Sequence, residues 1–342
     1  MSATADRKRG SWARAVGALL LLLALAPAAG AQQVHIRPRV PTPPPAKTPP
    51  PPPPAAVHGP KPSVDIKANV NLVLVPVTVT DPMDRLVTGL EADQFTVYED
   101  KVAQKIKTFS TEDAPISVGI VFDSSGSMSD KIQKSREALR EFFRTANPQD
   151  EFFAVDFADE PHAIDDFTTN VDQVENGISF VPAHGRTALL DAIYLSLDKM
   201  REAHNSRKAL LIISDGGDNH SRYTEREIRN VVRESDTQIF SIGIFSPVGG
   251  RDTPEEKAGP SLLGDIAEDS GGRLFAISDV DELPDVATKI GEELRNEYVI
   301  GYSSSNGRRN GKWRKIRVKL TPPAGLPPLT VYAKEGYYAP SH

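Results

Sequence analysis

The chain has 342 residues, 39% hydrophobic and 25% charged, enough apolar side chain to fill one large core or two smaller ones. Its 40 Lys and Arg against 46 Asp and Glu leave a net charge of −6, so no global basic field exists to hold a nucleic-acid backbone. The absence of cysteine excludes disulfide scaffolds, thiolate zinc sites, cysteine nucleophiles and any lipid carried on an N-terminal cysteine.

Residues 1–31 read as an export signal. Arg7, Lys8, Arg9 and Arg14 precede an apolar run from Ala15 to Ala26, and Ala29-Gly30-Ala31 supplies a small-residue cleavage site. The run is shorter than the roughly 20 residues that a membrane span needs. The mature chain is therefore expected to begin at Gln32, without a transmembrane helix, and to reach the periplasm, the cell surface or the medium. Of the 29 prolines, 13 fall between residues 37 and 62. Proline offers no backbone N–H and this segment has few apolar side chains, so residues 32–63 are expected to form an extended spacer rather than a core.

Two β-rich stretches flank a longer middle. Val70 to Thr80 is β-branched and alternating, then Asp81-Pro82-Met83-Asp84 turns the chain. Short strands are expected at Phe95 to Glu99 and Lys105 to Ser110. The closing stretch predicts strands at Tyr298 to Ser303, Lys315 to Leu320 and Leu329 to Ala333, with hairpin signals at Asn306-Gly307 and Asn310-Gly311. Neither stretch alone can cover both faces of a sheet. One β-sandwich built from both flanks, residues 64–113 and 298–342, is the expected arrangement, with residues 114–297 inserted into it.

The middle alternates short apolar strands with amphipathic helices. Strands are expected at Ile116 to Asp123, Phe152 to Phe157, His162 to Phe167, Ala209 to Asp215, Gln238 to Phe245 and Arg273 to Ile277. Helices are expected at Ser129 to Thr145, Ala188 to Ala203, Thr224 to Ser235, Ser261 to Ser270 and Val280 to Asn296. Repeated crossovers of this kind imply an α/β fold, a doubly wound and mostly parallel Rossmann-like sheet with helices on both faces. Ligands of such sheets bind at the carboxyl ends of the strands.

Three segments fall at that edge. Asp123-Ser124-Ser125-Gly126-Ser127 follows the first middle strand, Gly185-Arg186-Thr187 opens a helix, and Ser214-Asp215-Gly216 ends a later strand. Each alone reads equally as a helix cap or a turn. Together they offer two carboxylates and several hydroxyls without imidazole or thiolate, a donor set that selects a hard cation, Mg²⁺ first, with Mn²⁺ or Ca²⁺ as competitors. The candidate ligands are Asp123, Ser125, Ser127, Thr187 and Asp215. If the hydroxyls approach the metal while the carboxylates act through water or hydroxyl hydrogen bonds, little negative charge reaches the cation. It then stays electrophilic enough to accept an Asp or Glu from a partner. Asp191, Asp218 and Asn219 lie nearby in sequence, and turn formation or helix-dipole complementarity accounts for them as well.

On these residues the segment from about 115 to 297 resembles a von Willebrand factor type A domain. The Asp-x-Ser-x-Ser motif of that family's metal-ion-dependent adhesion site falls on Asp123, Ser125 and Ser127, its distant Thr on Thr187 and its distant Asp on Asp215. The resemblance implies a non-enzymatic module that binds a protein carboxylate through a divalent cation. With its flanks, the chain also resembles a bacterial group of exported proteins related to this domain, through Gly89 to Phe95 and Gly336-Tyr337.

Two other functions compete. Haloacid-dehalogenase-like phosphatases place an Asp-x-Asp after the first strand of a similar sheet, but here the second position is Ser125, which cannot serve as a general acid near neutral pH. The seven histidines show no metal-ligand spacing; His184, on its loop, is expected to be solvated. The alternation from Lys312 to Leu320 places Lys315, Arg317 and Lys319 on one face. That face reads either as a solvated sandwich edge or as a metal-independent site for an anionic surface.

Overall fold

The computed structural model describes residues 72–111, 113–245 and 253–341, all within one compact unit, Ile66–His342. The expected export signal, the spacer and the first residues of the N-terminal flank lie outside the described residues. Among the described residues no helix is long and apolar enough to cross a membrane.

The N-terminal flank forms β1 (Leu72–Thr80), β2 (Phe95–Glu99), β3 (Val102–Gln104) and β4 (Ile106–Ser110). The middle follows as β5 (Ile116–Asp123), α1 (Ile132–Arg144), β6 (Glu151–Phe157), β7 (Pro161–Ala163), α2 (Val171–Ser179) and α3 (Leu189–Lys199). It continues through β8 (Arg207–Ser214), α4 (Glu225–Glu234), β9 (Gln238–Ile244), α5 (Pro254–Ser270), β10 (Leu274–Ile277) and α6 (Leu283–Arg295). The chain closes with β11 (Tyr298–Ser303), β12 (Trp313–Leu320), β13 (Thr330–Ala333) and β14 (Gly336–Tyr338).

Six strands of the middle form one mixed sheet in the order β10-β9-β8-β5-β6-β7. The first five are mutually parallel, and β7 returns antiparallel along β6. Every residue of β5 and β6 is buried, which explains why these strands are apolar nearly throughout: both faces are covered. Their period of two divides the core. Ile116, Val118, Ile120 and Phe122 of β5 pack with Ile132, Leu139 and Phe142 of α1 and Ala287, Ile290 and Leu294 of α6. Val121, Phe153 and Val155 face the other way, toward Leu189 and Ile193 of α3, Ile228 and Val232 of α4, and Leu263 and Ile266 of α5. Each such fully buried side chain contributes on the order of 1.5–3 kcal/mol.

The flanks make two four-stranded sheets, β13-β1-β11-β4 and β14-β12-β2-β3. Each sheet draws strands from both ends of the chain. They share one core in which Val75, Val77 and Val79 of β1 meet Phe95 and Val97 of β2, Tyr298, Ile300 and Tyr302 of β11, and Ile316 of β12.

Several elements depart from the sequence reading. Helix α2 was not expected; it starts where the Asn170 side chain accepts a hydrogen bond from the Asp172 N–H. Helix α5 begins well before Ser261, because Thr253 and Glu256 form a capping box, Pro254 occupies the first turn, and the helix runs on through Pro260. The expected strand from His162 to Phe167 shrinks to β7. The Asn-Gly pairs at 306–307 and 310–311 do not close a hairpin, since β11 and β12 belong to different sheets and the chain crosses between them there. Strand β12 is not an edge: it pairs with β2 along Ile316–Leu320 and with β14 along Trp313–Lys315. Lys315, Arg317 and Lys319 are exposed on its outer face.

Candidate metal centre

The buried strand β5 delivers the Asp123 carboxylate, itself fully buried, to the carboxyl edge of the sheet. One oxygen accepts the Ser125 N–H at 2.8 Å and the other accepts the Ser214 hydroxyl at 2.5 Å, so both are engaged by the protein. Ser125 then opens a short 3₁₀ turn over Gly126–Met128, and this turn brings the Ser125 and Ser127 hydroxyl oxygens within 3.0 Å of each other. The expected helix from Ser129 begins only at Ile132 because this turn precedes it.

Strand β8 brings the third loop alongside. The Ser214 hydroxyl that donates to Asp123 also accepts the Gly216 N–H at 2.9 Å, which locks the turn behind Asp215. Gly216 has φ +80°, and a Cβ there would lie 3.0 Å from the Gly259 Cα on α5. Only glycine suits both the left-handed backbone and the close helix. Asp215 is met by Lys131, whose ammonium lies 3.1 Å from one carboxylate oxygen and donates to the Ser127 carbonyl at 3.0 Å.

The middle loop is sewn to both others. His184 N–H donates to Ser124 O at 2.8 Å, and Gly126 N–H donates to Gly185 O at 3.1 Å. Thr187 is buried; its N–H donates to the Asn219 side chain at 3.0 Å, and its carbonyl accepts the Asn219 and His220 N–H groups. Asp218 accepts the Leu190 N–H in the first turn of α3, and Asp191 accepts the Arg222 and Tyr223 N–H groups. These three neighbours therefore tie the loops together. The His184 ring is exposed and lies against the Pro182 carbonyl.

Thus Asp123, at the end of β5, and Ser125, Ser127, Thr187 and Asp215, on the loops that follow, belong to segments joined by direct hydrogen bonds. Sequence reasoning missed Ser214 and Lys131. Ser214 directly precedes Asp215 and carries a hydroxyl, but Lys131 reads locally as an ordinary helix-entry residue.

Burial, and secondarily the nearby Asp215 charge, push the Asp123 carboxyl up to about 7. A cation reverses that balance by favouring the ionised form. The hydroxyl geometry also suits one. Ser125 and Ser127 share a hydrogen bond at 3.0 Å, and two oxygens bound to Mg²⁺ at about 2.1 Å and at right angles also stand about 3.0 Å apart, so a cation could replace that bond with little movement of either hydroxyl. Among the described residues no group of three His, Cys, Asp or Glu is placed to hold a metal. A cation here would therefore rely on hydroxyl donors beside two carboxylates.

Residues 118–217, which span β5 through the turn after Asp215, match the family model described as von Willebrand factor type A domain. Mouse "Inter alpha-trypsin inhibitor, heavy chain 4" is 30% identical over 150 residues, covering 39% of this chain and 16% of that protein. Human "Inter-alpha-trypsin inhibitor heavy chain H4" is 27% identical over 141 residues, covering 37% and 15%. The chain thus spans less than a fifth of the length of these curated relatives. Among solved structures, a von Willebrand factor type A protein from Catenulispora acidiphila is 14% identical with a TM-score of 0.47, covering 80% of this chain and 75% of that one. The vWF domain of the type V pili tip protein Mfa5 from Porphyromonas gingivalis is 13% identical with a TM-score of 0.43, covering 53% and 97%. Residues 118–217, from within β5 to the turn after Asp215, are thus similar in sequence to a von Willebrand factor type A domain, and in this chain they fold as part of an α/β sheet.

Proposed function

We propose that the protein is an exported, non-enzymatic binding module that captures an acidic group of a protein partner through a divalent cation. Asp123, Ser125, Ser127, Thr187 and Asp215 would hold the cation, Mg²⁺ or else Mn²⁺ or Ca²⁺. The reading is carried by one observation: two hydroxyls at octahedral-edge spacing stand beside a buried carboxylate whose own oxygens are occupied by Ser125 and Ser214. When bound, the cation supplies an electrophilic open position. The chain's own part is to orient the hydroxyls, hold Asp123 behind them and keep Asp215 within reach.

The same reading sets the limits of the chain's parts. Residues 1–31 form the signal, 32–63 the spacer, and 114–297 a doubly wound domain inserted into a β-sandwich of 64–113 and 298–342. A hydrolase reading lacks its acid, since Ser125 stands where the second carboxylate of an Asp-x-Asp pair would act.

Melting curves of the protein with Mg²⁺, with Mn²⁺ and with chelator test the site. A cation that binds only the folded state stabilises it by about 2.7 kcal/mol at a concentration one hundred times Kd. Asp215→Ala should abolish the shift while the far-UV spectrum is retained. A folded wild type indifferent to millimolar Mg²⁺ and Mn²⁺ would sink the metal reading, and a partner pulled down equally by wild type and Asp123→Ala would sink the capture mechanism.

A further inference from the structure

At the opposite edge of the six-stranded sheet, where β8 and β9 begin, the inserted domain and the paired sheets enclose a cavity of about 740 Å³. That size falls within the roughly 300–1,000 Å³ of ligand sites. Two independent features converge on it.

The first is an open strand edge. Strand β13 pairs with β1 only along Val77–Thr80, whereas β11 pairs with β1 from Leu72 onward. On the side of β1 that β13 leaves, Leu72–Pro76 have no ladder partner among the described residues, and Leu72, Val73, Leu74 and Pro76 line the cavity. Leu72 and Leu74 are 36% and 42% exposed. Pro76 has no N–H to offer, so the usable edge is short.

The second is charge. Arg207, Lys208, Arg308, Arg309, Arg314 and Lys334 line the cavity against a single acid, Asp236. Glu297 answers Arg207, Glu99 answers Arg314, and Asp236 answers Lys334. A positive surplus remains. Lys208 donates to the Met200 carbonyl, and Arg308 sits exposed in the crossing loop.

We propose that this cavity binds an extended acidic peptide, which pairs as an added strand along the open edge of β1 and sets its carboxylates against the basic wall. The strand edge supplies main-chain hydrogen bonds, Leu72 and Leu74 supply apolar contact, and the cations select acidic side chains. An inorganic anion would use the charge and leave the edge and both leucines idle. This site is separate from the metal centre and needs no cation.

The probe is a labelled, end-blocked peptide of alternating Glu and Val, titrated with the full chain in chelator and followed by fluorescence anisotropy. A Lys-Val peptide serves as the control. The Glu-Val peptide should bind at least tenfold more tightly than the control, weaken as salt is raised, and lose at least tenfold in affinity in Lys208→Glu/Arg308→Glu. Hydrogen exchange on the wild-type protein should show slowed amides within residues 72–75 when the peptide is bound, a readout independent of how the double variant folds. Equal binding of the two peptides, loss of binding in chelator, full competition by millimolar inorganic phosphate, or unchanged exchange at residues 72–75 would each overturn the proposal. The chelator arm separates this site from the metal centre, because failure of one leaves the other standing.

Discussion

Lys131 offers the sharpest test of how the metal centre is balanced. Its ammonium is 3.1 Å from Asp215, and the two side chains are 16% and 8% exposed, so the pair is well sheltered from solvent. At an effective dielectric near 20 such a contact is worth up to about 5 kcal/mol of attraction, offset in part by the desolvation of both charges. A cation that draws on Asp215 must share or displace that ammonium. Lys131→Met removes the competitor and leaves the buried carboxylate without a counter-charge in the metal-free protein. We expect the metal-free stability to fall by about 1–3 kcal/mol and the Mg²⁺ affinity to rise by roughly ten- to a hundredfold, each tenfold being about 1.4 kcal/mol. Isothermal titration with Mg²⁺ measures the affinity, and melting in chelator measures the stability. Unchanged values on both would refute the counter-charge argument. Weaker Mg²⁺ binding would show instead that Lys131 positions the Ser127 turn through the carbonyl it also holds.

Mg²⁺ affinity should depend on pH. With Asp123 at about 7, the proton competes with the cation, and titrations should show affinity falling about tenfold per unit below that value. In the metal-free protein the sign is fixed by the folded state binding this proton more tightly than the unfolded one. Stability from Asp123 is therefore greatest at low pH and is lost as pH rises from about 4 toward 7, so the gap between melting curves in Mg²⁺ and in chelator should widen over that range. Ser214→Ala removes the hydroxyl that joins Asp123 to the Gly216 N–H; a loss of about 1–3 kcal/mol in urea unfolding and about tenfold in Mg²⁺ affinity is expected. Arg273→Met strips the buried Glu293 of the guanidinium it shares with Asp84, at a cost of about 3–5 kcal/mol by urea denaturation; Arg273→Met/Glu293→Leu should recover much of it.

Legibility in the sequence followed locality. Ile116 to Phe122 and Leu210 to Ile213 announce themselves because burial on both faces demands nearly continuous apolar runs, with Ser117 the one polar exception. Helix α2 buries only Val174 and Ile178 and contains Gly177, so its periodicity is too thin to read. Helix α5 hides its first half behind Gly259 and Pro260, which read as a break. The short strands β3 and β14 owe their existence to partners elsewhere, Val97 to Glu99 for one and Trp313 to Lys315 for the other. The same divide runs through the candidate site. Asp123, Ser125 and Ser127 stand in one motif, and Thr187 and Asp215 mark element ends, so each could be named. Lys131 could not, because its partner lies 84 residues away and nothing between them records the contact.

The register of β1 on β11 has a mechanical consequence. Leu72 lies opposite Ser303 and Val77 opposite Tyr298, so the strands run antiparallel, and the inserted domain joins β11 at its Tyr298 end. If, as proposed, residues 114–297 capture a partner, tension entering before Leu72 and leaving through those residues would pull these neighbours along their length in opposite directions. The ladder bonds lie across that pull, and the six paired positions from Leu72 to Val77 are loaded together in shear instead of being peeled apart one after another. Under the proposed capture of a partner, the chain would thus resist rupture at the point where strands of its two flanks pair.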